Sequence, residues 1–155
     1  MFSPISLIAE GSANYGIHVA FPGDERMKYE KEVLFPLAGL NPERADTFYK
    51  VQELVGKLDH AGNIAARKYL DGEINADQAA TILQKYALML PDLAKRRVKF
   101  FDQYRAYSIN YNLGQDLVRK YIESRGGTDD QPDKRWREFE ELLSFPRLPS
   151  ELTAK

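Results

Sequence analysis

Residues Pro4 to Ala20, PISLIAEGSANYGIHVA, have helix length and a single carboxylate, Glu10. Ile5, Leu7, Ile8, Tyr15, Ile17 and Val19, with Phe21 just beyond, spread apolar surface around most of the circumference. A helix that is apolar nearly all round is a buried helix. A carboxylate in such a helix must be paired, protonated, hydrogen-bonded or bound to metal. This stretch therefore predicts both a helical core and the place where chemistry would sit.

The rest of the chain reads as helix as well. Alternating β-branched runs are absent, and helix punctuation recurs. A second helix is expected from about Asp24 to Phe35, stopped by Pro36. Asn41-Pro42-Glu43 is a helix start, with Asn as N-cap and Pro in the first turn. The third helix then runs to Leu70 and closes at Asp71-Gly72. Phe48, Val51, Val55, Leu58, Gly62, Ala65 and Tyr69 alternate spacings of three and four along it. That spacing predicts one continuous seam against a partner helix, closest where Gly and Ala replace the larger side chains.

Asn75 with Gln78 makes a capping-box start for a fourth helix reaching about Leu88. A fifth runs from Pro91 to Tyr111. Gly114 either bends the continuing helix or lets another backbone approach. The pattern goes on to about Glu123, and Arg125 to Pro132 reads as a loop. A last helix, about Asp133 to Leu143, is expected to bury Trp136, Phe139, Leu142 and Leu143. The tail from Pro146 is expected on the surface. The fold class is thus all-α: six or seven mostly antiparallel helices in a single domain, residues 1–155. A helix this apolar at the very start of the chain further leads us to expect the C-terminal part of a larger protein.

Composition narrows the function classes. A net charge of −1 gives no global electrostatic case for nucleic acid or acidic membranes. The basic run Lys95, Arg96, Arg97, Lys99 reads as a solvated face. The chain has no cysteine, hence no disulfide and no thiolate metal site, which favours the cytoplasm. The first helix, with Glu10, Asn14 and His18 inside it, is too short and too polar to span a bilayer. His18 and His60 are the two histidines and do not sit at metal-ligand spacing, and HExxH, GxSxG, P-loop and GxGxxG patterns are all missing. A complete zinc site within this chain is not expected.

Three constellations remain. Glu10, Asn14 and His18 share one helical face, where Glu10 and Asn14 can reach one ligand. Glu10 and His18 lie about 12 Å apart along the axis, too far for one metal. The bland alternative is that Asn14 simply hydrogen-bonds Glu10. Asp59, Asn63, Arg67 and Asp71 form an i+4 row, a surface ladder unless Ala65, Ala66 and Tyr69 partly bury Arg67. Phe100, Tyr104, Tyr107 and Tyr111 form an aromatic stripe whose hydroxyls need polar partners if buried.

These segments together resemble the C-terminal half of a bacterial family read as zinc metallopeptidases and known as domain of unknown function 885. That family carries an HExxPGH-type motif, then a later helix with a Glu-Gly motif supplying a glutamate ligand. Residues 8–15, IAEGSANY, are similar to that later helix, with Glu10 on the ligand position. Residues 67–72, RKYLDG, followed by Asp77-Gln78-Ala79 and Leu83, resemble the family's Arg…Asp-x-Gly…Gln-Ala…Leu run. Residues 108–115, SINYNLGQ, resemble its Ala-Leu-x-Tyr-x-Ile-Gly-Gln segment. The matches keep the family's order and cover most of the chain. Two features depart: the histidine motif is absent, and Glu73 and Ile74 stand where the family has a histidine after the Asp-x-Gly turn.

The resemblance implies the catalytic half of a hydrolase acting on a peptide-like substrate. Glu10 would be one zinc ligand in the intact parent protein, with both histidines and the general base on an upstream segment acting as partner. Tyr111 would stabilise an oxyanion. Asn14, beside the ligand, would contact the substrate. Arg67, held by Asp71, and Tyr107 would line a substrate groove. This chain alone is then expected to be inactive and not to hold zinc tightly. The alternative is a non-catalytic helical interaction module that forms a homo-oligomer through residues Met1 to Phe21.

Overall fold

The computed structural model describes Ser3 and residues 5–153. Pro4 of the expected first helix, and Met1 and Phe2 of the expected self-association surface, lie outside them. The described residues are all-α, without strands. Nine α-helices are assigned: α1 Ile5–Ala20, α2 Glu25–Tyr29, α3 Phe35–Leu37, α4 Ala45–Gly56, α5 His60–Leu70, α6 Ala76–Tyr86, α7 Pro91–Tyr104, α8 Asn112–Ser124 and α9 Pro132–Ser144. No helix among the described residues is long and apolar enough to cross a membrane.

The chain divides into two compact units. One holds the residues up to Tyr49 and from Asn110 on; the other is Lys50–Ile109. In the first unit α1 packs most extensively on α8 and also meets α9. Its core is Ile8, Tyr15, Val19, Val118, Tyr121, Ile122, Phe139, Leu142 and Leu152. The second unit packs α5, α6 and α7 around Ala65, Ala66, Ala79, Ala80, Leu83, Ala94, Val98 and Phe101.

Local signals placed several boundaries. Asn75 and Gln78 form the capping box that opens α6: the Gln78 N–H donates to Asn75 Oδ1 and the Asn75 N–H to Gln78 Oε1, each at 2.9 Å. Asn41 caps the turn Pro42–Arg44, accepting from the Glu43 N–H at 2.9 Å. Gly72 takes φ +76° just past α5, the left-handed stop that glycine tolerates.

Other expectations are corrected. The second helix does not stop at Pro36; it widens into a π-helical turn, Glu30–Leu34, and continues through Pro36 as α3. The expected helix from Pro42 to Leu70 breaks after Gly56, where tight turns close Leu58 N–H on Val55 O and Asp59 N–H on Gly56 O. The seam is therefore not continuous: Phe48 and Val51 are exposed, and a Cβ on Gly62 would meet nothing within 4 Å. The expected helix from Pro91 to Tyr111 ends at Tyr104, because Arg105 turns to φ +51° before a 3₁₀ segment, Arg105–Asn110. In α9, Phe139 and Leu142 are buried, but Trp136 and Leu143 are half exposed or more. The tail is not wholly on the surface, since Leu152 belongs to the first core. The first helix is not buried all round either. Ile8, Gly11, Ser12, Tyr15 and Val19 form its inward face, while Ile5 and Ile17 are exposed.

Candidate functional site

The first unit brings together three of the residues singled out above. Helix α1 carries Glu10 and Asn14 one turn apart, on adjoining positions of one face. Tyr111 is the residue just before α8. The Asn14 side-chain amide donates to the Tyr111 carbonyl at 3.0 Å, across a sequence separation of 97 residues. Asn14 thus holds the backbone of Tyr111 against α1. The expected alternative, Asn14 serving only Glu10, does not account for this bond.

Glycines permit the approach. A Cβ on Gly114 would sit 2.5 Å from the Leu7 carbonyl oxygen and 3.2 Å from Gly11 Cα. A Cβ on Gly11 would run into the Gly114 backbone. Of the two readings open for Gly114, the structure takes the second: a close backbone crossing rather than a bend. The Glu-Gly segment of α1 and the Tyr-x-x-Gly segment opening α8 are therefore in direct contact. Glu10, Asn14 and Tyr111 are all half-buried.

Downstream on α1, Tyr15 is buried, and burial pushes its phenol pKa up. The His18 ring lies beside it, tilted by 40°, with the centroids 6.1 Å apart. Desolvation of the imidazole, then the positive field of Arg119 and Arg26, pushes its pKa down.

Arg67, Asp71 and Tyr107 belong to the second unit. Arg67 is exposed rather than partly buried. No ion pair joins it to Asp71 among the described residues; the link is the Asp71 N–H donating to the Arg67 carbonyl at 2.9 Å, which closes α5. Tyr107 is half-buried in the 3₁₀ segment, its ring 6.3 Å from that of Tyr104.

Sequence reasoning missed Arg135. It is 1% exposed on α9, where the expected apolar positions were its neighbours. Its Nη1 donates to Asp129 at 2.6 Å, while Nε and Nη2 have no hydrogen-bond partner among the described residues. The signal for it was weak: Gly127 lets the loop before α9 pass close to the Arg135 backbone.

No group of three or more His, Cys, Asp or Glu among the described residues is placed to hold a metal ion. Glu10 offers one carboxylate donor, short of the three protein ligands a catalytic zinc needs. Compared with known proteins, the chain matches no family model, no curated protein and no solved structure.

Proposed function

We propose that this chain is the C-terminal, helical half of a metallopeptidase-like hydrolase, inactive alone, that contributes Glu10 as one metal donor and Tyr111 as an oxyanion donor to a site completed by an upstream histidine-bearing segment. The observation that carries the reading is the Asn14–Tyr111 hydrogen bond beside the Gly11–Gly114 crossing. The two segments that resemble the family's motifs have work to do together only if they converge, and their backbones touch. The substrate class is a peptide or a similar amide. Tyr111 would donate its phenolic hydrogen to the substrate oxygen as negative charge develops there. Asn14 serves by positioning Tyr111.

The test is to express the chain with and without the residues encoded upstream of Met1, and to measure bound zinc and peptide hydrolysis. Expected is hydrolysis only in the longer protein, with zinc loading lost in Glu10→Gln and turnover lowered about 10²-fold or more in Tyr111→Phe. Stoichiometric zinc or hydrolysis from the short chain alone would overturn the proposal, as would a longer protein indifferent to Glu10→Gln.

A second reading rests on a different observation. Ile5, Ile17 and Phe21 leave apolar surface exposed along and just after α1. A helical interaction module would cover it with a second copy, burying at least about 1,000 Å² if specific. Sedimentation at rising concentration decides this: a monomer throughout rejects the module, and a dimer lost in Ile17→Glu supports it.

A further inference from the structure

A second site lies on the other side of α1. Ile5, Ile8 and Ser12 recur at spacings of three and four, about 200° around the helix from the Glu10 face. With the end of α9 and the segment after it, they line a cleft of about 320 Å³. Its walls are aliphatic and aromatic: Ile5, Ile8, Leu142, Leu143 and Phe145. That volume is at the low end for small-molecule pockets and suits one short chain, not a helix.

Two of the residues that line this cleft carry a polar atom without a partner. Ser12 is 3% exposed, and its hydroxyl makes no hydrogen bond among the described residues. Arg147 is the one charged residue among those lining the cleft; no carboxylate lines it. Its buried Nε also has no partner. Its Nη2 donates to Glu141 Oε1 at 3.1 Å, but that oxygen also accepts from Arg125 at 3.3 Å. The Arg147 guanidinium lies over the Tyr121 ring, 5.5 Å from its centroid. Buried polar groups are normally satisfied, so unmet donors on residues that line an apolar cleft point to an acceptor brought by a ligand.

We propose that this cleft binds a medium-chain aliphatic monocarboxylate, the chain between Ile5, Ile8, Leu142 and Leu143 and the carboxylate on Arg147 and Ser12. The chain length is limited by the volume, and the head group by the single positive charge and the absence of lining acids. This site is independent of the Glu10 face and does not rest on the hydrolase reading.

Isothermal titration of the full chain with octanoate, kept below its micelle concentration, tests it. Octylamine, of equal chain length and opposite charge, is the control. Expected is saturable one-to-one binding of octanoate and none of octylamine. Arg147→Gln should weaken binding about tenfold, the usual worth of a hydrogen bond to a charged group. Ser12→Ala should weaken it severalfold. Leu143→Trp, at an exposed position, should fill the cleft and abolish binding while the helical circular dichroism and melting curve stay unchanged. Equal binding of both probes, no binding of octanoate at millimolar concentration, or wild-type affinity in both Arg147→Gln and Leu143→Trp would each overturn the proposal.

Discussion

Gly11 and Gly114 hold the α1–α8 crossing by having no side chain. Both added methyls would meet backbone, which cannot swing aside as a side-chain end can. Gly114→Ala should therefore destabilise by about 1–3 kcal/mol, the range for overpacking, and urea denaturation will read it. Gly62 is the contrasting case: it sits in α5 with open space around it, so Gly62→Ala should stabilise by about 0.5–1 kcal/mol. A matching loss at both positions would show that packing is not the cause. His18 gives a pH prediction at the same scale. Its folded pKa lies below the ordinary 6.5, so the unfolded chain takes up the proton first. The His18 contribution to stability is present above pH 6.5 and is lost as pH falls from there through the folded value. Melting curves from pH 7.5 to 5 should show a smaller loss in His18→Gln than in the wild type. The candidate site was legible residue by residue where its signal was steric. Glycine in two motif-like segments announced a close approach. Arg135 was not legible, because a buried guanidinium follows from the path of the Gly126-Gly127 loop and not from any spacing.

Helix starts were readable where a side chain makes the boundary. Asn75→Ala removes the acceptor for the Gln78 N–H and should cost about 1 kcal/mol. Gln78→Ala removes the reciprocal bond, and the double variant should cost less than the two losses added, because the bonds belong to one box. Thermal melts of the three variants check this. Helix ends were less readable where backbone geometry makes the boundary. Arg105 adopts φ +51° without being Gly or Asn, and nothing in its side chain signals a left-handed turn. The same limit hid the break after Gly56, where apolar spacing carries straight through the turn. Pro36 was expected to end a helix. A π-helical turn ahead of it instead removes the need for the regular i→i−4 bond that proline lacks. Nearby, burial, then the Glu30 carboxylate, pushes the Tyr49 phenol pKa up to about 12.

At the scale of the chain, the two units have cores of different substance. The first is built from Tyr, Phe, Ile, Leu and Val side chains drawn from α1, α8, α9 and Leu152. The second buries Phe101, Leu83 and Val98 among five alanines, with Tyr69, Leu70, Ile74, Ile82, Met89 and Phe100 only partly buried around them. An alanine side chain buries far less apolar surface than a leucine or phenylalanine, and burial stabilises at about 25 cal/mol per Å². The second unit is also one continuous stretch, so it can open without disturbing the order of the first. Native-state hydrogen exchange in rising urea should therefore resolve two groups of amides. Those of α5, α6 and α7 should exchange through a partial opening of lower free energy, and those of α1 and α8 through global unfolding. Phe101→Ala should lower the first set by about 3–5 kcal/mol, or by the whole of its free energy if that is smaller, and leave the second set unchanged. Amides of all five helices converging on one free energy in the wild type, or a Phe101→Ala loss shared equally by α1 and α8, would show that the chain unfolds as one cooperative body despite its two cores.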